Sequence, residues 1–166
     1  MNEGCLIAAT YCRAKTALRL LLENGADVNF RDLHGKTALM HACERCSVEM
    51  ARILIDHGAD LNAQCQLARK TALMYAVTRQ TRPVLQLLLD RGADVNLRNV
   101  DGYTALTLAK TFRLHKQVAM LVTHGHRRRN KVGRNLTPAQ YWNMLQCNML
   151  FHICICFVLL AYISDL

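Results

Sequence analysis

The sequence predicts an all-α solenoid of stacked helix-turn-helix units, which short β-hairpin turns join. Three series of residues share a period of about 33 residues, and such a period indicates a repeat architecture. The first series consists of glycines that lie 33 or 34 residues apart: Gly25, Gly58, Gly92 and Gly125. The second consists of threonines that begin the tripeptide T-A-L: Thr37, Thr71 and Thr104. The third consists of apolar triplets at 20–22, 53–55, 87–89 and 120–122. Because one unit cannot bury its apolar face alone, neighbouring units must stack.

The elements of one unit follow in order along the second repeat. Thr37 suits the cap of a first helix over 38–43, because its hydroxyl can accept a hydrogen bond from an open backbone N–H group. A second helix carries apolar residues on one face, such as Met50 and Leu54. The glycine of the G-A-D-L-N segment suits a left-handed residue that ends this helix. Aspartate, asparagine and a further glycine between repeats are typical of a tight turn.

The segments HGKTALMHAC, ILIDHGADLN, DGYTALTLAK and MLVTHG resemble the ankyrin-repeat family, and the resemblance covers residues 4–122. Turn, helix and helix at this period is the ankyrin pattern. We place four repeats at about 1–29, 30–62, 63–96 and 97–129. The first lacks its hairpin, as a starting cap would. The resemblance implies an L-shaped solenoid whose hairpin tips and first helices form a concave binding face.

Two departures from the family pattern bear on local structure. The family's glycine after the first helix is replaced by Cys46, Gln80 and Arg113. The hairpin at 63–70 has one extra residue and no glycine. We therefore expect the lowest local stability at this third hairpin.

The chain changes character after Gly125, where a basic patch replaces the aspartate and asparagine of earlier repeats. The patch holds five cations: Arg127, Arg128, Arg129, Lys131 and Arg134. It could be a nuclear localisation signal, a site for anionic lipid or a solvated hairpin. Counting 33 residues on from Thr104 reaches Thr137, which Pro138 follows as in the family's T-P. We therefore interpret 130–166 as a basic hairpin plus a degenerate fifth repeat or a C-terminal apolar cap helix.

The apolar tail at 149–163 leaves three interpretations open. The apolar pattern at 150–155 matches the second helix of a repeat. A membrane anchor over 145–163 would make the chain a tail-anchored protein with cytosolic repeats. The apolar run alone is shorter than the roughly 20 residues that a spanning helix needs. An atypical tail is the third interpretation.

Charge and cysteine content bound the class of protein. The chain carries 21 lysines and arginines against 12 aspartates and glutamates, a net charge of +9. This excess favours acidic partners such as nucleic acid, anionic lipid or acidic protein segments. Eight cysteines follow a start that lacks the pattern of a signal peptide. We therefore expect reduced thiols and a cytoplasmic or nuclear location.

No residue set indicates catalysis. The sequence lacks a nucleophile–base–acid pattern and a phosphate-binding glycine loop, so we expect no enzyme and no cofactor. Cys43 and Cys46 with His41 nearby suggest a metal or redox site. The second ligand pair of a zinc finger is missing, so we expect structural thiols and no metal.

Binding is the function that the sequence favours, because solenoids present extended surfaces. The resemblance implies that hairpin residues and the last residues of each first helix face the partner. These positions are Tyr11, Cys12, Arg31, Leu33, His34, Lys36, Glu44, Arg45, Lys70, Thr78, Arg79, Arg98, Val100, Asp101, Tyr103, Thr111 and Phe112. We expect an adaptor or scaffold for a protein partner, with an acidic surface favoured.

Two further interpretations of these positions stay open. They could be an ordinary solvated face. A basic groove with aromatic residues could also hold single-stranded nucleic acid, although the family's preference for protein partners disfavours this. The resemblance also implies that asparagines eight residues after a leucine can be hydroxylated: Asn29, Asn62 and Asn96.

Overall fold

The computed structural model describes the backbone of residues 3–133 and the side chains of residues 4–125. The chain divides into two compact units between Gly125 and His126, and the packing described below is that of the first unit. The described residues form eight helices and no β-strand. In chain order these are α1 Glu3–Tyr11, α2 Lys15–Glu23, α3 Ala38–Glu44, α4 Val48–Asp56, α5 Ala72–Thr78, α6 Arg82–Asp90, α7 Ala105–Thr111 and α8 His115–Gly133. Odd-numbered helices are the first helices of repeats one to four, and even-numbered helices are the second.

The T-A-L threonines cap the first helices, as predicted. Thr71 accepts a hydrogen bond from the backbone N–H of Met74 at 3.3 Å, and Thr37 does the same one repeat earlier. Thr104 and Thr107 each accept the other's backbone N–H, which forms a reciprocal capping box. Each hydroxyl satisfies a donor that the start of a helix leaves open.

Glycines end the second helices of the first three repeats, as predicted. Gly25, Gly58 and Gly92 have φ angles of 79°, 85° and 90°, in the left-handed region that favours glycine. The matching positions after the first helices adopt the same conformation without glycine. Their φ angles lie between 55° and 60°, at Arg13, Cys46, Gln80 and Arg113. A side chain in this region costs roughly 1–2 kcal/mol per residue.

Gly125 does not end a helix, and the hairpin predicted just after it is wrong for residues 126–133. Helix α8 runs through this glycine to Gly133. In the earlier repeats an aspartate stabilises the turn: the Asp27 carboxylate accepts the backbone N–H of Asn29 at 2.9 Å. Histidine and arginines stand there after Gly125, and arginine is a good helix former. Without a competing turn, the cost of glycine inside a helix is only about 1 kcal/mol.

The hairpins between repeats are turns held by side chains. Arg31 and Thr37 form an antiparallel bridge at the first of them. Inside it, the Asp32 carboxylate accepts backbone N–H groups of His34 and Lys36, both at 2.8 Å. The low stability expected of the third hairpin, 63–70, stays a prediction.

The core runs along the stack between the two layers of helices. Each first helix contacts the first helix of the next repeat, in the order α1, α3, α5 and α7. The second helices α2, α4 and α6 contact one another in the same way. The largest fully buried side chains come from every repeat: Leu6, Leu18, Leu39, Met40, Met50, Leu54, Leu73, Met74, Val77, Leu85, Leu88 and Leu121. Burial of one such side chain contributes about 1.5–3 kcal/mol.

Asparagines join successive repeats along the turns that follow the second helices. The Asn29 side-chain oxygen accepts the backbone N–H of Asp60 at 2.7 Å. Asn62 accepts that of Asp94 at 2.8 Å, one repeat further on. These bonds fix the spacing of neighbouring repeats.

Several predictions fall outside the described residues. They are the fifth repeat with its Thr137-Pro138 start, the apolar pattern at 150–155 and the tail anchor at 145–163. Within the described part of the chain, no helix is both long enough and apolar enough to span a membrane.

Candidate protein-interaction surface

An open groove of about 640 Å³ lies where the first helices of repeats one to three end. Tyr11 is the last residue of α1, and Arg45 and Arg79 directly follow α3 and α5. The groove brings these ends together because the repeats stack in register. We call it the basic groove, and its lining residues are Tyr11, Arg13, Lys36, His41, Glu44, Arg45, Cys46 and Arg79.

Positive charge dominates the basic groove. Its lining holds four lysines and arginines and one carboxylate, an excess of three positive charges with histidine neutral. Arg45 and Arg79 occupy the C-caps of their helices. A cation there is favourable because the C-terminal end of a helix carries partial negative charge. The local structure therefore tolerates these cations before any partner binds.

Glu44 pairs with two of the four cations. Its carboxylate accepts the Lys36 ammonium at 2.9 Å and an Arg79 guanidinium nitrogen at 3.0 Å. Burial raises the pKa of Glu44, but the hydrogen bonds and charges of Lys36 and Arg79 lower it by more. The net result is a pKa below the usual value. Glu44 is therefore ionised at neutral pH and links repeats two and three.

Arg45 stacks on an aromatic ring. Its guanidinium lies 4.1 Å from the ring centroid of Tyr11, in the range of a cation–π contact. A guanidinium of Arg13 donates to the backbone carbonyl of Arg45. A guanidinium carries its N–H donors at the edge of its plane, where they can meet a carboxylate.

The first hairpin is fastened to the wall of the basic groove. The His41 ring nitrogen Nε2 lies 2.9 Å from an oxygen of Asp32. Burial raises the pKa of Asp32, but hydrogen bonds from Lys36, His41 and His34 lower it by more, so the pKa lies below its usual value. Lys36 also lies 5.0 Å from the ring centroid of Tyr75. These contacts position Lys36 at the edge of the groove.

A family model described as ankyrin repeats (3 copies) matches residues 5–99 and 62–132. The chain belongs to the ankyrin-repeat family. Ankyrin repeats are generally protein-interaction modules and are typically non-enzymatic.

Curated relatives match parts of this ankyrin chain. It is 40% identical over 65 residues to the B-cell lymphoma 3 protein homolog of Mus musculus. The matched segment covers 39% of this chain and 12% of that protein. It is 48% identical over 46 residues to ankyrin repeat domain-containing protein 63 of Homo sapiens. This match covers 28% of the chain and 12% of that protein. A plant relative is the ADP-ribosylation factor GTPase-activating protein AGD4 of Arabidopsis thaliana, 39% identical over 59 residues, 34% of this chain and 8% of that protein. The chain thus spans only about a tenth of the length of these relatives.

The structure gathers five of the predicted partner-binding residues in the basic groove: Tyr11, Lys36, Glu44, Arg45 and Arg79. The others lie along the ankyrin hairpins or at helix ends. Those that are exposed are Cys12, Arg31, Leu33, His34, Arg98, Val100, Asp101, Tyr103, Thr111 and Phe112. Lys70 and Thr78 are half-buried, and the hydroxyl of Thr78 donates to the carbonyl of Tyr75. Partner binding at these residues stays a prediction.

Sequence reasoning missed Arg13, His41 and Cys46 as groove residues. Arg13 and Cys46 occupy the same position of successive repeats, which is also that of Gln80 and Arg113. Counting back 33 residues from Cys46 finds Arg13. His41 lies at the groove because it contacts Asp32, and the residue spacing in the sequence does not show this contact.

The two cysteines of the C-x-x-C segment differ in their surroundings. Cys43 is fully buried, whereas Cys46 is exposed. Burial raises the pKa of the Cys43 thiol, so it stays protonated at neutral pH. The described residues contain no group of three or more His, Cys, Asp or Glu side chains that could hold a metal ion.

The asparagines proposed for hydroxylation are all exposed. Asn29 and Asn62 use their side-chain oxygens to join repeats, whereas the side-chain nitrogen of Asn96 donates to Asp94 at 3.3 Å. Hydroxylation stays a prediction.

The basic patch is only partly described. The backbone at Arg127, Arg128, Arg129 and Lys131 is helical, and Arg134 lies outside the described residues.

Proposed function

We propose that this ankyrin chain is a non-enzymatic adaptor or scaffold that holds a partner protein by an acidic segment in the basic groove, on the concave face that the family resemblance implies. The observation that carries the proposal is the composition of the groove, which holds four cations and one carboxylate. Arginine and tyrosine, which meet here at Arg45 and Tyr11, are the residue types most often dominant in protein interfaces.

The geometry supports recognition of carboxylates. Arg45 contacts the ring of Tyr11, and a guanidinium can bind an acidic side chain through two parallel hydrogen bonds. A preorganised side chain loses less conformational entropy on binding than a freely rotating one. Arg79 forms an ion pair with Glu44 of the neighbouring repeat. A partner segment with successive acidic residues could contact both arginines.

The test begins with affinity purification of the full chain and identification of captured proteins by mass spectrometry. We expect Arg45→Glu combined with Arg79→Glu to abolish capture of the main partner while leaving the circular dichroism spectrum unchanged. The matched control is Arg19→Glu combined with Arg52→Glu. Both control residues are exposed on second helices, and the change in net charge is the same.

Undiminished capture by the groove variant refutes the role of the basic groove. An equal loss in the control variant also refutes it, because attraction by overall charge would then explain the binding. The proposed class of partner is wrong if the parent chain binds nucleic acid with an affinity that falls steeply with salt and the groove variant does not bind it.

Location in the cytoplasm or nucleus and membrane attachment through 145–163 both stay predictions. Carbonate extraction of the full chain separates them. An anchored protein stays in the pellet, and a protein recovered wholly in the supernatant has no anchor.

A further inference from the structure

A glutamine occupies a core position of the fourth repeat. The third residue of each earlier second helix is apolar: Ala17, Met50 and Val84. Gln117 stands at this position in α8 and is only 3% exposed. Its side-chain oxygen Oε1 is shielded from solvent and has no hydrogen-bond partner. A buried acceptor without a donor destabilises a fold, so an apolar residue would suit the repeat better.

The usual local donor for this glutamine is already bonded. A glutamine at the third position of a helix can accept the backbone N–H of the residue that precedes the helix. In α8 the preceding residue is Leu114, and its N–H donates to the carbonyl of Ala109 at 2.9 Å. The donor that Gln117 needs must therefore come from another source.

Gln117 borders an open pocket of about 390 Å³, a volume in the range of small-ligand sites. The pocket lies at the starts of α6 and α8, and we call it the second-helix pocket. Arg82 and Lys116 give it two positive charges, and none of its lining residues is acidic. The lining residues are Gln80, Arg82, Leu114, His115, Lys116 and Gln117.

Both helices at the second-helix pocket begin without a side-chain cap. Thr81 precedes α6, but its hydroxyl donates to the carbonyl of Ala76 at 3.2 Å and accepts nothing from the helix. Leu114 precedes α8 and has no polar side chain to offer. The first N–H groups of a helix lack partners within the helix, and together with the helix dipole they favour an anion.

The pocket and the buried glutamine place different demands on a ligand. The helix starts and the two cations favour a negatively charged acceptor, whereas Oε1 of Gln117 requires a donor. An ionised carboxylate offers acceptors alone, and so does sulfate. A phosphate monoester has a second pKa of about 6, so near this pH it carries charged oxygens and a P–OH donor together.

We propose that the second-helix pocket binds the phosphate group of a small phosphate monoester. The charged oxygens pair with Arg82 and Lys116 and accept N–H groups at the helix starts. The P–OH group donates to Gln117 once the side-chain amide turns toward the pocket. The pocket is larger than a phosphate ion, which leaves room for the rest of the ester. The inference is independent of the proposed function, because this pocket and the basic groove share no lining residue.

Isothermal titration calorimetry of the full chain at pH 6 tests the ligand, with methyl phosphate, inorganic phosphate and sulfate as probes. We expect methyl phosphate to bind one site with a dissociation constant of about 1 mM or below. Sulfate should bind at least about tenfold more weakly, because it cannot donate to Gln117. Binding of inorganic phosphate without binding of methyl phosphate would mean a site for the free ion, which contradicts the proposed ester.

Two variants and a matched control test the site. Gln117→Leu restores an apolar residue at the core position, so it should raise the midpoint of urea unfolding and abolish the preference for phosphate over sulfate. Lys116→Ala should weaken binding of methyl phosphate about tenfold. Lys110→Ala is its control and should leave binding unchanged, because Lys110 is exposed near the end of α7 and outside the pocket.

Four results would overturn the inference. The first two are failure of methyl phosphate to bind the parent chain and equal binding of sulfate. The third is a preference for phosphate that persists in Gln117→Leu, because the glutamine then contributes nothing to the site. The fourth is an equal loss in Lys116→Ala and Lys110→Ala, because overall charge would then explain the binding. If Gln117→Leu does not fold, the comparison of the two lysine variants decides.

Discussion

Replacing Gly35 with alanine should destabilise the repeat stack more than the same change at Gly102. Both glycines sit in hairpins at positive φ, 69° and 78°, where an L side chain is strained. They differ in their neighbours. A Cβ atom on Gly35 would lie 2.5 Å from the Gln66 side chain and 2.7 Å from its backbone nitrogen. A Cβ atom on Gly102 would meet nothing within 4 Å.

The strain and the steric conflict contribute separately. Left-handed backbone costs an alanine roughly 1–2 kcal/mol, and the smaller entropy of the unfolded alanine chain offsets about 0.4–1 kcal/mol of this. Gly102→Ala should therefore cost about 1 kcal/mol. Gly35→Ala must also displace the backbone of Gln66 and lose its hydrogen bond to His34, about 1 kcal/mol more. Movement of the second hairpin adds to this, for a total of about 2–3 kcal/mol.

Urea unfolding of the full chain, followed by far-UV circular dichroism, measures both variants. We expect the unfolding midpoint of Gly35→Ala to fall clearly below that of Gly102→Ala, with equal slopes, because the slope reports the surface exposed on unfolding. Free energies that agree within about 0.5 kcal/mol, the usual limit for independent effects, refute contact between the hairpin tips.

Three further changes test the caps, the links between repeats and the hairpin carboxylate. Thr71→Ala should lower the free energy of unfolding in urea by about 1 kcal/mol, because it removes the hydroxyl that caps α5. Thr71→Ser keeps this hydroxyl and should keep the stability, so equal losses in both variants contradict the capping role. Asn62→Ala removes the acceptor for the Asp94 N–H and should also cost about 1 kcal/mol, and an unchanged midpoint counts against this link. The pKa of Asp32 is lower in the fold than in the unfolded chain, so its contribution is complete above about pH 4 and is lost as the pH falls through the folded pKa. Asp32→Asn should therefore lose less stability than the parent chain as the pH falls below about 4, and a parallel loss refutes the assignment.

The features that sequence predicted correctly depend on local chemistry repeated at a fixed period. Thr71 caps a helix because its hydroxyl reaches its own third neighbour, and Gly58 ends one because of its own φ. Gly125 failed as a helix end because glycine alone does not make the turn. The aspartate that accepts a backbone N–H in the earlier repeats is missing after it.

The site was harder to predict because it depends on distances between repeats. The resemblance placed Arg45 and Arg79 on one face, but the link that Glu44 makes to Lys36 and Arg79 needs coordinates. The exposed Leu67 is a different omission. It is the extra residue of the third hairpin, where Cys65 bonds to Lys70 over five residues and Asp32 bonds to Lys36 over four, so the period could not place it.

Glu44 gives the basic groove an internal competitor. Because its carboxylate already pairs with Lys36 and Arg79, a single carboxylate that binds either of these two cations exchanges one ion pair for another and gains little. A segment with several adjacent acids, or a phosphorylated residue with a charge of about −1.5 to −2, offers more than it displaces. We therefore expect the basic groove to favour densely charged acidic segments over weakly acidic surfaces.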